Sequence, residues 1–226
     1  MKILAIECTH QVACVAVSNG NRIVERVSAE WQKTAEAIVP LVMQAMTGAG
    51  LSPADLDGVA VSAGPGSFTA LRIGMSAAKG IAYGAGCPLV PVPTLLAMAS
   101  AACAHTGAQC LVPLIPSRPG EYFYAVYRCE DGAGIVKELD NGRCMVAELT
   151  EKLKALDTSF TIPVRDMSLL VSYAPELAGS VLDASFFTAE SLLGFAESEL
   201  SKGAGAALSD ASPDYRQIFV PLRKKQ

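Results

Sequence analysis

The sequence predicts an α/β fold, with a mixed sheet flanked by helices and a second, smaller α/β lobe. Over residues 1–106 the apolar runs follow the order strand, strand, strand, helix, strand, helix, strand, helix. Such alternation is typical of parallel strands joined by crossover helices. Hydrophobic residues make up 51% of the 226 residues and charged residues 18%, so the chain can bury a large core. Beyond residue 107 the pattern changes, which divides the chain into 1–106 and 107–226.

The first three strands form an antiparallel meander in this prediction. Asn19-Gly20-Asn21 has the composition of a hairpin turn between the second and third strands. Two later strands follow helical crossovers and are expected to add in parallel. The five predicted strands are Lys2–Cys8, Ala13–Ser18, Arg22–Ser28, Asp57–Ser62 and Pro88–Pro93.

The first long helix, Thr34–Ala49, is apolar on more than one side, and Pro40 is expected to kink it. A helix that covers one face of a sheet needs only one apolar stripe. Here Ile38, Leu41, Val42 and Ala45 form one stripe, and a second consists of Val39, Met43 and Met46. Either this helix and the next cover each other and the second lobe, or both form an interface with another chain.

The second long helix, Ser67–Gly84, is crowded with small residues, among them Gly74 and Gly80. A glycine inside a helix costs about 1 kcal/mol relative to alanine, so we expect a packing reason for each. Small side chains also let another backbone approach closely, which favours the interface hypothesis.

The remaining elements are predicted from shorter patterns. Thr94–His105 is a helix with Thr94 as its N-cap, and Gly203–Asp214 is a loop. The further strands and helices are Cys110–Ile115, Tyr122–Cys129, Ile135–Leu139, Phe160–Val164 and Leu169–Ser172 as strands, with Val146–Leu156 and Ser191–Leu200 as helices.

A glycine-rich loop precedes the second helix. It matches neither GxxxxGKS nor GxGxxG, so its phosphate-binding signal is weak. We interpret it as a structural strand-to-helix turn in which Ser67 caps the helix, with a nucleotide site as the alternative. The loop residues are Gly64, Pro65, Gly66, Ser67 and Thr69.

The sequence offers few residues for chemistry. Glu7, with Thr9, is a candidate for a vestigial nucleotide site, but no glycine follows the acid to hold phosphate oxygens. Cys8 would need a nearby base to act as a nucleophile. The chain has two histidines far apart and seven cysteines without a CxxC pair. We therefore expect no catalytic residue, no metal and reduced thiols.

Charge and hydropathy limit the partners. The formal net charge of −4 argues against direct, dominant binding to nucleic acid, which needs a basic face. No apolar run approaches the ~20 residues that span a bilayer, and no signal peptide is evident. We expect a cytoplasmic protein without membrane contact.

At this point the chain resembles a known family. Its opening Ile3–Thr9, the helix with Glu36 and Pro40, and above all the stretch Gly64–Gly74, GPGSFTALRIG, look like the TsaB (YeaZ) family of bacterial tRNA threonylcarbamoyladenosine biosynthesis proteins. The likeness covers residues 1–106 well and the rest mainly in length and layout.

The resemblance implies an actin-like, ribonuclease H-like (ASKHA) fold and a role without catalysis of its own. Members pair through the two long helices with TsaD, the catalytic paralogue, and the ATPase TsaE joins them. The complex forms N6-threonylcarbamoyladenosine at position 37 of tRNAs that read codons beginning with A. ATP and Mg²⁺ are then used by the complex, tRNA is met indirectly through it, and a homodimer can form when the chain is alone.

The predicted partner-binding residues lie on both helices: Glu36, Val39, Pro40, Met43, Met46, Ala70, Arg72, Ile73, Gly74, Ala77 and Ile81. The sequence departs from the family pattern at four places. Glu7 replaces the usual Asp, Thr34 a His, Ala70 a Gly, and Pro116–Phe123 a segment that normally contains another Asp. The alternative function is a stand-alone enzyme of the same fold, either a small-molecule kinase or a metallopeptidase-like protein.

Overall fold

The computed structural model describes residues 1–10, 12–28, 33–130 and 134–216. The strands are β1 Lys2–His10, β2 Val12–Asn19, β3 Ile23–Ser28, β4 Gly58–Gly64, β5 Leu89–Pro93, β6 Cys110–Leu111, β7 Leu114–Arg118, β8 Glu121–Glu130, β9 Gly134–Met145, β10 Ile162–Val164 and β11 Val181–Asp183. The helices are α1 Thr34–Ala49, α2 Phe68–Ala85, α3 Thr94–Thr106, α4 Val146–Lys154, α5 Met167–Tyr173 and α6 Leu193–Ser201.

The first sheet has the strand order β3-β2-β1-β4-β5. The first three strands pair antiparallel, whereas β4 and β5 pair parallel, as predicted. Between β2 and β3 the Asn19 N–H donates to the Arg22 carbonyl at 3.1 Å, and Gly20 has a φ of +91° that glycine adopts readily. The predicted mixed sheet is confirmed.

Both faces of the first sheet are buried, because successive side chains of a strand point to opposite faces. Leu4 and Ile6 belong to the core cluster that includes α1 and α2. Ile3 and Ala5 belong to the other cluster, which includes α3, α6 and the buried side of β8. The helices α1 and α2 therefore form one outer layer of the molecule.

The second sheet has the order β6-β8-β7, and β9 also pairs with β8. The strands β10 and β11 form a separate parallel pair. Residues 184–201 return to the first sheet, since α6 contacts β1, β4 and β5. The strands of the first sheet precede residue 106, and the strands of the other two sheets follow it. The division into two lobes at that residue stays a prediction.

Two local predictions were wrong. Leu169–Ser172 lies inside helix α5, which Asp166 caps by accepting from the Leu169 N–H at 3.0 Å. Thr94 is the first residue of α3 rather than its N-cap; its hydroxyl instead accepts from the Gly64 N–H at 3.0 Å. Helix α1 contains the exposed Pro40, and the kink expected at that residue stays a prediction.

Candidate functional site

The outer side of α1 carries exposed apolar side chains. Its sheet-facing stripe, with Ile38, Leu41 and Ala45, is buried, whereas Val39 is 57% exposed and Met43 65% exposed. The second apolar stripe is therefore not covered by α2 or by the second lobe. Met46 is a correction, because it is buried in the core. It lies at the border of the two stripes, and its long side chain turns toward the sheet.

A groove of about 460 Å³ runs between α1 and α2. Arg72 is exposed in it, and Ile73 and Ala77 are half-buried, as is the neighbouring Ile81. Glu36 and Pro40 lie exposed on the α1 side. The lining residues are Ala35, Ile38, Val39, Phe68, Thr69, Arg72, Ile73, Ser76 and Ala77.

Two of the three glycines inside α2, Gly74 and Gly80, have different surroundings. A Cβ at Gly74 would lie 2.7 Å from the Cys8 sulfur, whereas a Cβ at Gly80 would meet nothing within 4 Å. Gly74 thus allows α2 to approach β1, and Gly80 lies on the open side. Gly74 and Ala70 are corrections to the predicted interface, since both are buried against the sheet.

Sequence reasoning missed two exposed aromatic residues of α2, of which Phe68 lines the groove. Phe68 is 49% exposed and Tyr83 80% exposed. The centroids of the Tyr215 and Phe68 rings lie 4.7 Å apart. The Arg72 guanidinium lies 5.5 Å from the centroid of the Phe68 ring. Phe68 follows the capping serine directly, and an apolar residue at that exposed first position of a helix was the available signal.

The glycine loop is held by contacts within the chain. Ser67 caps α2 by accepting from the Ala70 N–H at 3.5 Å, as predicted, and Thr69 is exposed. Gly64 has a φ of +118° and is joined to Pro65 by a cis peptide. A Cβ on Gly64 would overlap the Asp214 carbonyl oxygen, and the Asp214 N–H donates to the Ala63 carbonyl at 2.6 Å. The backbone at Asp214 is therefore packed against this loop.

The loop also docks onto the end of β1. The Ser67 N–H donates to the Thr9 carbonyl at 3.0 Å, and a Cβ on Gly66 would lie 2.7 Å from the Thr9 Cβ. Gly66 thus permits a backbone approach that any other residue would obstruct. The loop and strand end form one closed junction.

Glu7 is fully buried at this junction. One of its carboxylate oxygens accepts from the Thr9 N–H at 2.8 Å and from the Thr9 hydroxyl at 2.5 Å. The other accepts from the Ser62 hydroxyl. A buried carboxylate needs such partners. Glu7 and Thr9, the predicted residues of a vestigial nucleotide site, are therefore hydrogen-bonded to each other.

Cys8 lies beside Glu7, but its surroundings oppose nucleophilic chemistry. The thiol is buried and donates to the Ala70 carbonyl at 3.2 Å. Burial, with the charge of Glu7, raises the pKa of Cys8 to about 12. The thiolate is the nucleophile, so at neutral pH this side chain stays protonated and acts as a core residue.

The divergent segment 116–123 forms the β7–β8 hairpin. Pro116 pairs with Tyr122 in register, and Gly120 has a φ of +71° in the turn. Glu121 lies 3.6 Å from Arg143 in an ion pair. These residues stabilise the hairpin and lie apart from the α1–α2 groove.

The chain matches a known protein family. A model of the family described as TsaD, tRNA N6-adenosine threonylcarbamoyltransferase, matches residues 28–175, more than half of the chain. The chain belongs to this family. Both α1 and α2 fall within the matched region.

Among curated relatives, the chain is 34% identical to the tRNA threonylcarbamoyladenosine biosynthesis protein TsaB of Escherichia coli over 131 residues, 58% of the chain and 57% of that protein. It is 36% identical to TsaB of Haemophilus influenzae over 88 residues, 39% of the chain and 37% of that protein. The match thus spans less than two thirds of either relative. The resemblance to TsaB is confirmed.

A solved structure is similar over nearly the whole chain. It is described as a protein of Pseudomonas aeruginosa with similarity to peptidase YeaZ, and it superimposes with a TM-score of 0.83 at 21% identity, covering 96% of this chain and 99% of that one. At this identity the likeness shows the fold alone. The predicted actin-like α/β fold is confirmed.

Within the described residues no helix is both long and apolar enough to cross a bilayer.

Proposed function

We propose that this TsaD-family chain is a non-catalytic subunit of the complex that forms N6-threonylcarbamoyladenosine at position 37 of tRNAs reading codons beginning with A. It binds the catalytic paralogue TsaD through the outer side of α1 and α2 and supports it there. The observation that carries the proposal is the exposure of Val39 and Met43 beside an open apolar groove.

The chemistry of the groove supports a protein partner. Monomeric proteins rarely expose a contiguous apolar patch without a use for it. Phe68 and the two α1 side chains supply apolar area, while Gly80 and Ala77 let a second backbone approach. Flexible methionine and aromatic side chains are suited to interface contacts.

The buried junction supports the absence of independent catalysis. Both carboxylate oxygens of Glu7 accept hydrogen bonds from the chain itself. Holding a hydrated Mg²⁺ would require breaking them and exposing the carboxylate. The protonated Cys8 thiol offers no replacement nucleophile.

The proposal includes further partners. TsaE joins the TsaD complex, tRNA is met through that complex, and the free chain forms a weak homodimer through the same groove. The chain carries no cofactor of its own, while ATP and Mg²⁺ are used by the complex. The setting is the cytoplasm.

The deciding experiment is co-purification with TsaD from the same organism. We expect Val39→Asp and Met43→Asp each to abolish capture, because burying a carboxylate without a partner costs several kcal/mol. Both positions face solvent in the free chain, so the free energy of unfolding should change by less than about 0.5 kcal/mol.

Leu139→Asp is the matched control. Leu139 is an exposed apolar residue on β9, away from α1 and α2, and its replacement should leave capture intact. Undiminished capture by both α1 variants would show that the interface lies elsewhere. Tight binding of ATP with Mg²⁺ to the isolated chain in calorimetry would favour the stand-alone enzyme instead.

A further inference from the structure

Two cysteines from distant parts of the sequence meet at a cavity that the proposed function does not use. Cys103 lies on α3 and Cys129 near the end of β8. Both line a cavity of about 720 Å³ between α3, the ends of β8 and β9, and α6. Phe195 and Ile135 contribute apolar walls. The cavity lies on the opposite face of the first sheet from the α1–α2 groove.

The two cysteines belong to one packed cluster. Cys129 is buried in this cluster and Cys103 packs against it, and the proximity of Cys103 contributes to a raised pKa of Cys129. The backbone N–H of Cys129 donates to the Gln109 carbonyl at 2.8 Å, which fixes the end of β8 beside the segment that follows α3. Cys103 is partly exposed and Cys129 is buried, so a reagent in the cavity reaches Cys103 first.

We propose that Cys103 and Cys129 form a redox-active dithiol that reacts with small disulfides of the oxidised-glutathione class. The Cys103 thiolate attacks one sulfur of the small disulfide and releases one thiol, which leaves a mixed disulfide on Cys103. The Cys129 thiolate then attacks the Cys103 sulfur, forms the Cys103–Cys129 bond and releases the second thiol. The protein loses two protons and two electrons, and the small disulfide gains them.

The order of the two steps follows from burial. Burial, together with the neighbouring Cys103, raises the pKa of Cys129 to about 12, so Cys129 is a poor first nucleophile at neutral pH. Once Cys103 carries the mixed disulfide, the second attack is intramolecular, and effective molarities of roughly 10⁵ M or more offset a small thiolate fraction. A thiolate of high pKa is also intrinsically more nucleophilic.

The bond would join α3 to β8, and therefore the first sheet's helical layer to the second sheet. In the reduced chain no disulfide joins these elements, since all seven cysteines are free. Disulfides in reducing compartments are typically transient and regulatory. The dithiol would thus report the redox state of its surroundings without touching the docking groove.

The test uses the full chain with Cys87→Ser, because Cys87 is the other partly exposed thiol. After treatment with oxidised glutathione, the free-thiol count in denaturant should fall by two, and peptide mapping should find Cys103 joined to Cys129. Adding Cys129→Ser should instead trap one glutathione on Cys103. Adding Cys103→Ser should abolish both products.

Three outcomes would overturn the proposal: no loss of thiols, a stable glutathione adduct on Cys103 while Cys129 is present, or a bond from Cys129 to Cys110. Cys110 is the relevant rival, because its charge also acts on Cys129. The parent chain keeps both cysteines, so misfolding of a variant cannot produce any of these results.

Discussion

The junction between β1 and the glycine loop differs sharply from the outer side of α1 and α2. At the junction, Glu7 and Thr9 are bonded to each other and the glycines leave room only for this chain's own backbone. On the helical side, Val39 and Met43 are exposed and Gly80 faces open space. The junction is rich in glycine but is closed by contacts within the chain, whereas the apolar outer side of the helices remains open.

This difference teaches where to look for function in a chain of this fold. A loop rich in glycine is often taken as a ligand site, but here the small residues serve internal contacts. Gly80 is more informative, because it lies inside a helix, where alanine would be more stable, and a Cβ at this position would meet nothing within 4 Å. Four predictions test the contrast between the closed junction and the open helices.

The largest effect is expected for Gly64→Ala at the closed junction. The φ of +118° is unfavourable for alanine, and the added Cβ would overlap the Asp214 carbonyl. We expect a loss of about 3 kcal/mol or more in the free energy of unfolding, measured by urea denaturation. Gly86→Ala is the control, with a φ of +68° and nothing within 4 Å, and should cost about 1 kcal/mol. Equal losses would show that the overlap is relieved cheaply.

Glu7→Ala should have the next largest effect. It removes the acceptor for the Thr9 N–H, the Thr9 hydroxyl and the Ser62 hydroxyl, and we expect a loss of about 2 kcal/mol. Glu7→Gln should recover most of that stability, since the amide oxygen can accept from Thr9 and the amide nitrogen can donate to Ser62. The measurement is again urea denaturation. An alanine variant as stable as the wild type would mean that the closed network contributes nothing.

Gly80→Ala tests the open side. The added Cβ meets nothing, so the variant should be more stable by about 1 kcal/mol, the helix-propensity difference. If TsaD approaches this point closely, the same change should weaken capture. Denaturation and co-purification measured on one preparation separate the two effects. Greater stability with unchanged capture would move the close contact away from Gly80.

The smallest effect concerns Asp55, whose carboxylate accepts hydrogen bonds as that of Glu7 does but lies exposed at the surface. Hydrogen bonds from the Ser52 side chain and backbone, followed by Lys2, lower the pKa of Asp55 from 3.8 to about 2. A lowered folded-state pKa means that the contribution is complete above about pH 4 and is lost as the pH falls through 2. The Tm difference between wild type and Asp55→Asn should be small and should shrink over this interval. A difference that grows toward pH 2 would contradict the assignment.

Much of the first sheet could be predicted because local patterns decide it. The turn at Asn19-Gly20-Asn21 and the alternation of strands with helices specify the meander and the parallel additions. The second half was harder. Met167–Tyr173 has the short apolar composition of a strand, and the Asp166 cap that makes it a helix is a weak signal. Threonine is a common N-cap residue, but the Thr94 hydroxyl accepts a hydrogen bond from the N–H of Gly64, thirty positions earlier.

The candidate surface was predictable only in part. Two apolar stripes on α1 follow from helical periodicity, which the sequence alone contains. Which members of the second stripe stay exposed depends on the depth at which the helix packs on the sheet, so Val39 and Met43 are open while Met46 is buried.

By itself, the sequence determined the elements of the first sheet, the apolar excess on its helices and the family resemblance, because these depend on residue type and local spacing. Only the tertiary structure decided that Glu7 accepts a hydrogen bond from Ser62, that Gly74 faces inward while Gly80 faces outward, and that Cys103 and Cys129 line one cavity. Each of these depends on contacts between segments far apart in the chain, and their distances are set by packing rather than by sequence spacing.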